Sequence, residues 1–385
     1  MSEGHVGVRD PNAFLPPLES MRGWAIILVV LFHYHGVLFG DAQPSTDMPL
    51  WRSIFIAGNS GVNLFFVLSG FLLSQPFIRS LQGGVGVDVG RYFWARFLRI
   101  IPLYYLVVLA AWLLSGNWAA LKGLIFIPLG FEVFPYSVVW WSLSTEVQFY
   151  LALPLLMLPL LHRYGRYVVA LALVAWLGAY LYYFHQPAWL GDHTKRALQF
   201  SLFGRLPTFL VGVAAAWLVS QPVVVSCLRR QVLAWALMIG SGGALLLMWS
   251  WAVAVGGKNA EFALPTYHAV EALLWGGVML GLLNVRGWLT WLMSNPLFDH
   301  FGRISYSLYL VHLPVQIFIL APIIMGGGQG HVDFQAAETI WRLVASALAA
   351  WALACLCYWL VEKPFLRLKS SLLVFRRPSS NVLAQ

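Results

Sequence analysis

Residues 18–40 read LESMRGWAIILVVLFHYHGVLFG, a run of membrane-spanning length and oily character that nevertheless carries Arg22, His33 and His35. Lipid solvates such groups badly, so they persist mainly where they face other helices or a wet cavity. Arg22 and His33 stand eleven residues apart, close to three helical turns, which puts them on one face about 16 Å apart along the axis. At that spacing they cannot touch. They can address two ends of one long, thin substrate. His35 points to roughly the opposite side of the helix and is not expected to join them.

The rest of the chain is of the same kind. Of 385 residues, 60% are apolar and 10% charged, whereas a soluble domain carries about a quarter charged residues. With a mean hydropathy of +0.73, the chain reads as an all-α polytopic membrane protein. Its 19 Trp and 15 Tyr suit a class in which amphipathic rings gather at the two interfaces. In a soluble chain the formal charge of +9 would suggest nucleic acid; here basic cytoplasmic loops account for it, and no nucleic-acid partner is expected. Cys227, Cys355 and Cys357 supply neither a zinc spacing nor an even disulfide framework, so they read as apolar filler. The first seventeen residues are polar and contain proline. No basic stretch precedes the first apolar segment and no A-x-A site follows it, so a retained first helix is expected rather than a signal peptide.

Apolar runs long enough to cross the hydrocarbon core fall near 20–40, 54–75, 98–115, 140–161, 167–185, 201–219, 232–255, 267–284, 303–324 and 338–361. These predict a bundle of about ten transmembrane helices. Residues 118–131 are apolar but too short to span, which suits a re-entrant or interfacial piece. If both termini are placed in the cytoplasm, the inner segments hold seventeen of the twenty-four Lys and Arg, as the positive-inside rule requires. An odd number of helices would spoil that alternation. The expected divisions are a cytoplasmic segment over 1–17, a transmembrane domain over 18–368 and a basic cytoplasmic tail over 369–385. No loop is longer than about 25 residues, which leaves no room for a separate soluble domain between spans.

Five further polar islands interrupt the oil. The second span reads GVNLFFVLSGFLLS, where Asn63, Ser69 and Gly70 suit either close helix packing or a pocket. Upstream of the third span, RYFWARFLRIIPLYY looks like an entering loop. There Arg96 and Arg99 project from one face with Arg91 just before them; this is either a positive-inside anchor or a phosphate clamp, because Arg offers planar forked donors that match phosphate. The fourth span opens WWSLSTEVQFYLALPLL and sets Glu146 near its outer end, with Gln148 and Tyr150 within a turn. A carboxylate at that depth is functional or serves as glue between helices. The ninth contains GRISYSLYLVHLPV, in which Ser305, Tyr309 and His312 recur at helical spacing; a lone His there is a packing residue or a catalyst. The last ends CYWLVEKPFLRL, where Glu362 and Lys363 read as interface residues and Pro364 as a helix stop. Glu271 is a further intramembrane acid with no partner to name.

No Walker loop, G-x-S-x-G elbow, H-E-x-x-H or Cys/His metal spacing appears, and His33 and His35 face apart, so no metal is expected. Taken together, the islands resemble the acyltransferase 3 family of integral-membrane acyltransferases. The segments that carry the resemblance, in family order, are 18–33, 61–73, 95–105, 141–156, 302–314 and 361–365. Arg22 and His33 match the family's opening motif, an Arg followed by ten residues and a His. Glu19 stands where that motif usually has Asp, a conservative change.

The resemblance implies a multi-pass protein of the bacterial inner (plasma) membrane that moves an acyl group, often acetyl, from cytoplasmic acyl-coenzyme A to a hydroxyl of a glycan or other acceptor. It implies no permanently bound cofactor, with acyl-CoA as co-substrate, the bilayer as surroundings and a carbohydrate or other alcohol as acceptor. His33 is then expected to be the catalytic base and Arg22 to orient the donor. Arg96 and Arg99, with Arg91, are expected to bind its phosphates. Glu146 is expected to hold the acceptor or orient an imidazole, and Asn63, Ser69, Tyr150, Tyr309 and His312 complete the candidate pocket. Some members carry a fused extracytoplasmic esterase-like domain; at this length the membrane part is expected to handle the acceptor alone. A transporter or flippase is the alternative, since intramembrane Arg, His and Glu also mark ion and substrate paths, but no paired broken helices are visible to support it.

Overall fold

The computed structural model describes residues 16–40, 49–185, 192–255, 266–288, 290–327 and 336–374. Ten long helices form along it: α1 Pro16–Phe39, α2 Ser60–Leu81, α3 Val89–Ser115, α4 Trp140–Met157, α5 Gly165–His185, α6 Leu202–Leu218, α7 Gln231–Val255, α8 Tyr267–Asn284, α9 Ser305–Gly327 and α10 Ala337–Cys357. No strand occurs among the described residues. The protein is an all-α polytopic membrane protein. Nine helical stretches there are long and apolar enough to cross a bilayer. α8 is the tenth expected span; it is helical but is not among these nine.

Helix α2 is the hub. In the stretch Leu50–Leu81, which joins it to the short helix Leu50–Ile56, 78% of the residues of an 18-residue apolar window are buried, against 11% of such a window in Gly165–Phe184. α2 packs along α6 and α1, α7 along α8, and α9 along α10. Small residues bring α2 and α6 into backbone contact: a Cβ on Gly70 would lie 2.2 Å from the Phe209 carbonyl oxygen, and one on Gly212 would lie 2.1 Å from that of Val67. Such approach is how membrane helices gain packing where lipid supplies no hydrophobic drive.

Two elements depart from the sequence expectation. The stretch holding Arg91, Arg96 and Arg99 is not a loop, because α3 begins at Val89. Asp88 caps it by accepting from the Arg91 N–H at 2.9 Å, and Gly116 closes the other end at φ +66°. The arginines therefore project from a rigid helix. The last span does not stop at Pro364 either. After Cys357 it opens into a π-helical turn, Tyr358–Glu362, and then continues as a helix over Lys363–Val374, past residue 368. Pro364 directly follows that π turn, so its missing N–H and its ring fall where the i→i−4 ladder is already interrupted. Residues 118–125 form a short 3₁₀ helix against α3, with Tyr105 donating to the Leu124 carbonyl at 2.8 Å. Such a piece is too short to span.

Candidate active site

The start of α9 ties the bundle together at one level. Ser305, Tyr306 and Ser307 are consecutive, so they point about 100° apart around the helix and reach different neighbours. Ser305 accepts from Arg22 Nη2 on α1 at 3.1 Å. Tyr306 donates to the Ile100 carbonyl on α3 at 2.8 Å. Ser307 donates to Glu362 Oε2 in the last span at 2.8 Å.

Around this knot lies a cavity of about 120 Å³ whose wall includes Arg22, Ser69, Arg96, Arg99, Glu146, Tyr150, Ser305, Tyr306, Ser142 and Tyr309. Three guanidiniums from two helices thus face one carboxylate across a small space. Glu146 Oε1 accepts from Ser69 at 2.7 Å and from Tyr150 at 2.6 Å, so the acid is fixed by neighbours on α2 and α4. Arg96 lies over the Tyr150 ring, 6.0 Å from its centroid, and its Nε is buried without a hydrogen-bond partner. Behind the wall, Glu19 stands 3.9 Å from Arg22 and Glu362 stands 3.5 Å from Arg99. Lined so, the cavity suits an anion that accepts from several N–H groups, and phosphate is the group that forked guanidiniums match best.

The far end is set by Tyr309, whose hydroxyl donates to the Val139 carbonyl at 2.9 Å and pairs with Ser142 at 2.6 Å. The Tyr309 ring centroid lies 5.9 Å from that of His312, and His312 Nε2 lies 3.1 Å from His33 Nδ1. Backbone carbonyls fix the tautomers, because a carbonyl can only accept. His33 Nδ1 is 2.8 Å from the Val29 oxygen and His312 Nδ1 is 3.0 Å from the Leu308 oxygen, so both Nδ1 atoms carry hydrogen. His312 Nε2 then accepts from the shared His33 Nδ1–H, and His33 Nε2 holds a lone pair, the form a general base requires. Neither imidazole belongs to the cavity wall; Tyr309 does, and its contact with His312 is what joins the wall to the histidine pair.

The other expected site residues divide between the cavity, the surface and a second cluster. Arg91 is exposed and lies outside the cavity, because it sits one turn nearer the helix start than Arg96. Glu146 is held by Ser69 and Tyr150 among the arginines rather than by an imidazole. Asn63 is also outside the wall. It belongs to a second buried cluster, where its amide oxygen accepts from Arg205 Nη1 at 3.0 Å and its nitrogen reaches Glu271 and, at 3.1 Å, His268 Nδ1. Glu271 accepts in addition from Trp249 Nε1 at 2.9 Å, and His268 Nδ1 stands 3.9 Å from it, so its partners come from α2, α7 and its own helix. His35 turns away from His33, as expected, toward Arg52 at 3.4 Å. Sequence reasoning missed Ser142, Tyr306, Ser307 and Glu362; the run of hydroxyl residues in 305–309 was the available signal. Among the described residues no group of three or more His, Cys, Asp or Glu is placed to hold a metal ion.

The geometry defines a class: an integral, multi-pass membrane protein with an arginine-walled cavity and, beside Tyr309 of its wall, a pair of hydrogen-bonded histidines. The chain belongs to the acyltransferase 3 family, whose acyltransferase domain matches residues 17–359. O-acetyltransferase OatA of Staphylococcus aureus strain NCTC 8325 / PS 47 is 23% identical over 336 residues, covering 81% of this chain and 52% of OatA. A second S. aureus protein (strain COL) whose name includes O-acetyltransferase is 22% identical over 339 residues, covering 80% of this chain and 51% of its own. The chain thus spans about half the length of these curated relatives. No solved structure matches it.

Proposed function

We propose that this protein is a membrane O-acyltransferase that takes an acyl group from acyl-coenzyme A and passes it to a hydroxyl of a glycan or other alcohol. The observation that carries this reading is the convergence of Arg22, Arg96 and Arg99 on one cavity. Coenzyme A is a bulky phosphorylated anion with a long, thin arm. Arg96 and Arg99 hold its phosphates at the cavity, with both chain termini and this mouth on the cytoplasmic side. Arg22 orients the arm, which carries the thioester past Tyr309 toward His33. This division of labour fits the separation of about three helical turns between Arg22 and His33 on α1.

At the histidines the chemistry is acyl transfer. His33 Nε2 takes the proton of the acceptor hydroxyl as that oxygen attacks the thioester carbon. The carbon–sulfur bond breaks, and the proton passes from the imidazole to the departing thiolate. General-base assistance of this kind contributes about 10² to 10⁴ in rate. His312 holds His33 in the required tautomer through the shared Nδ1–H. The relatives' printed names support an O-linked acetyl product, and a cavity this small suits the narrow arm of the donor more than a sugar. A carrier does not cleave thioester, so release of free coenzyme A thiol separates this enzyme from a transporter. The deciding experiment is transfer of radiolabelled acetyl from acetyl-coenzyme A in membranes. The parent should label surface glycan and His33→Ala, at equal expression, should not; equal labelling would remove His33 as the base.

A further inference from the structure

The last span contributes an acid that the acyl-transfer scheme does not use. α10 is regular to Cys357, then one π-helical turn occupies Tyr358–Glu362 before the helix resumes. A residue added to a turn rotates the downstream helix by about 100° relative to an uninterrupted α-helix, and such turns are frequent at functional sites. Here the turn leaves Glu362 only 2% exposed. Its neighbour Lys363 faces elsewhere, with Nζ 3.2 Å from the Trp359 ring centroid. One Glu362 oxygen accepts from Ser307 at 2.8 Å. The other lies 3.5 Å from Arg99 Nη1 and is buried with no hydrogen-bond partner.

We infer that Glu362 is a positioning residue for the anion cavity, aiming the Arg99 guanidinium so that an incoming phosphate meets a fork already in place. This rests on the proposal that Arg96 and Arg99 bind the phosphates of coenzyme A. Two effects of the carboxylate oppose each other. Its negative charge weakens the pull of the cavity on an anion, so charge counting alone predicts tighter binding when it is removed. Its hold on a long, flexible side chain saves the ordering that a bidentate contact otherwise demands. Ser307 and the 3.5 Å spacing settle the balance: the charge is partly met by the serine hydroxyl, whereas the guanidinium has a fixed anchor on one side and the cavity on the other. Glu362 also belongs to a different helix from either arginine, so the last span locks the first part of α3.

The test is binding of coenzyme A to the full chain in lipid nanodiscs, which requires no knowledge of the acceptor. Glu362→Gln should raise Kd about tenfold, Glu362→Asp less, and Ser307→Ala about threefold. Lys363→Gln, on the other face of the turn, should leave Kd unchanged. On an Arg99→Gln background Glu362→Gln should add less than about twofold, because the residue it positions is gone. A merely structural role predicts additive losses instead and would overturn the inference, as would unchanged or tighter binding by Glu362→Gln. If Glu362→Gln does not give a monodisperse protein, Ser307→Ala decides, and a parental Kd there overturns the inference. Failure of the phosphate assignment looks different: the parent binds no coenzyme A, or Arg99→Gln binds it as the parent does, and both proposals then fall. Weakening by Arg99→Gln with no effect of Glu362→Gln or Ser307→Ala removes this inference alone.

Discussion

Helix α2 stands between two buried charged clusters of similar make-up. On one side Ser69 faces Glu146, Arg22, Arg96 and Arg99; on the other Asn63 meets Arg205, His268 and Glu271. The first lines a cavity; Asn63, Arg205, His268 and Glu271 belong to the wall of neither that cavity nor the apolar groove beside Arg96. In the second cluster polar atoms meet each other directly, as in the Arg205 to Asn63 contact at 3.0 Å and the Trp249 to Glu271 contact at 2.9 Å. Buried charge in a membrane protein thus serves two ends. Where side chains answer one another it joins helices, here α2, α6, α7 and α8. Where a void separates them, as at Arg96, whose Nε has no partner, there is room for the phosphates proposed above.

The contrast breaks most sharply at the histidines. Replacing His33 by Ala should lower acyl transfer by about 10² to 10⁴ while leaving thermal stability near that of the parent, because the ring is only half-buried. Labelled acetyl transfer and a melting curve on the same preparation check both halves. On the closed side the balance reverses. Glu271→Ala strips an acceptor from the buried Asn63 amide and from the Trp249 indole, a loss of about 1–3 kcal/mol in stability for each N–H left unpaired. Yield and melting temperature should fall before any kinetic constant can be compared. If Glu271→Ala instead folds normally and loses only activity, the second cluster is a site and the contrast between the two clusters fails.

A smaller effect is expected where ligand and protein share the work. Arg96→Ala and Arg99→Ala should each raise the apparent KM for acetyl-coenzyme A about tenfold, or about 1.4 kcal/mol, with kcat little changed. Arg91→Ala should leave KM alone, since Arg91 is exposed and outside the cavity. An equal effect of all three would point to a general surface potential rather than to a built pocket, and added salt would then abolish it.

Legibility in the sequence divides in the same way. Helical spans are readable because oil repeated over about 20 residues has few other uses, and Arg22, Arg96, Arg99 and Glu146 stand out because lipid penalises them. Partnership is not readable. Glu271 has no visible partner in the sequence, since Asn63 is 208 positions away. Glu362 passes for an interface residue because the π-turn that buries it has no mark in the string CYWLVEKPF. Asn63 and Ser69 look alike as small polar residues on one helix, yet six positions carry them to different sides of it. Hydrophobic pattern reports which residues are out of place in lipid; contacts between distant helices decide whether they hold the fold or wait for substrate.

The gentlest test of that distinction uses one atom twice. Ser60 and Ser69 lie on α2, and each loses only a hydroxyl when changed to Ala. Ser60 Oγ accepts from Trp275 Nε1 at 2.8 Å in a place that is 1% exposed. Deleting it leaves an indole N–H buried without an acceptor, a loss of about 1–3 kcal/mol. Ser69 donates to Glu146 at 2.7 Å, but Tyr150 donates to the same oxygen at 2.6 Å and the cavity admits water. Its loss should therefore lower stability by about 0.5 kcal/mol or less and show itself in donor KM instead. Denaturation of the two variants side by side gives the order directly. Equal stability losses would mean that the void at Glu146 is too dry to replace a hydroxyl, and the cavity would then have to be entered by the ligand alone.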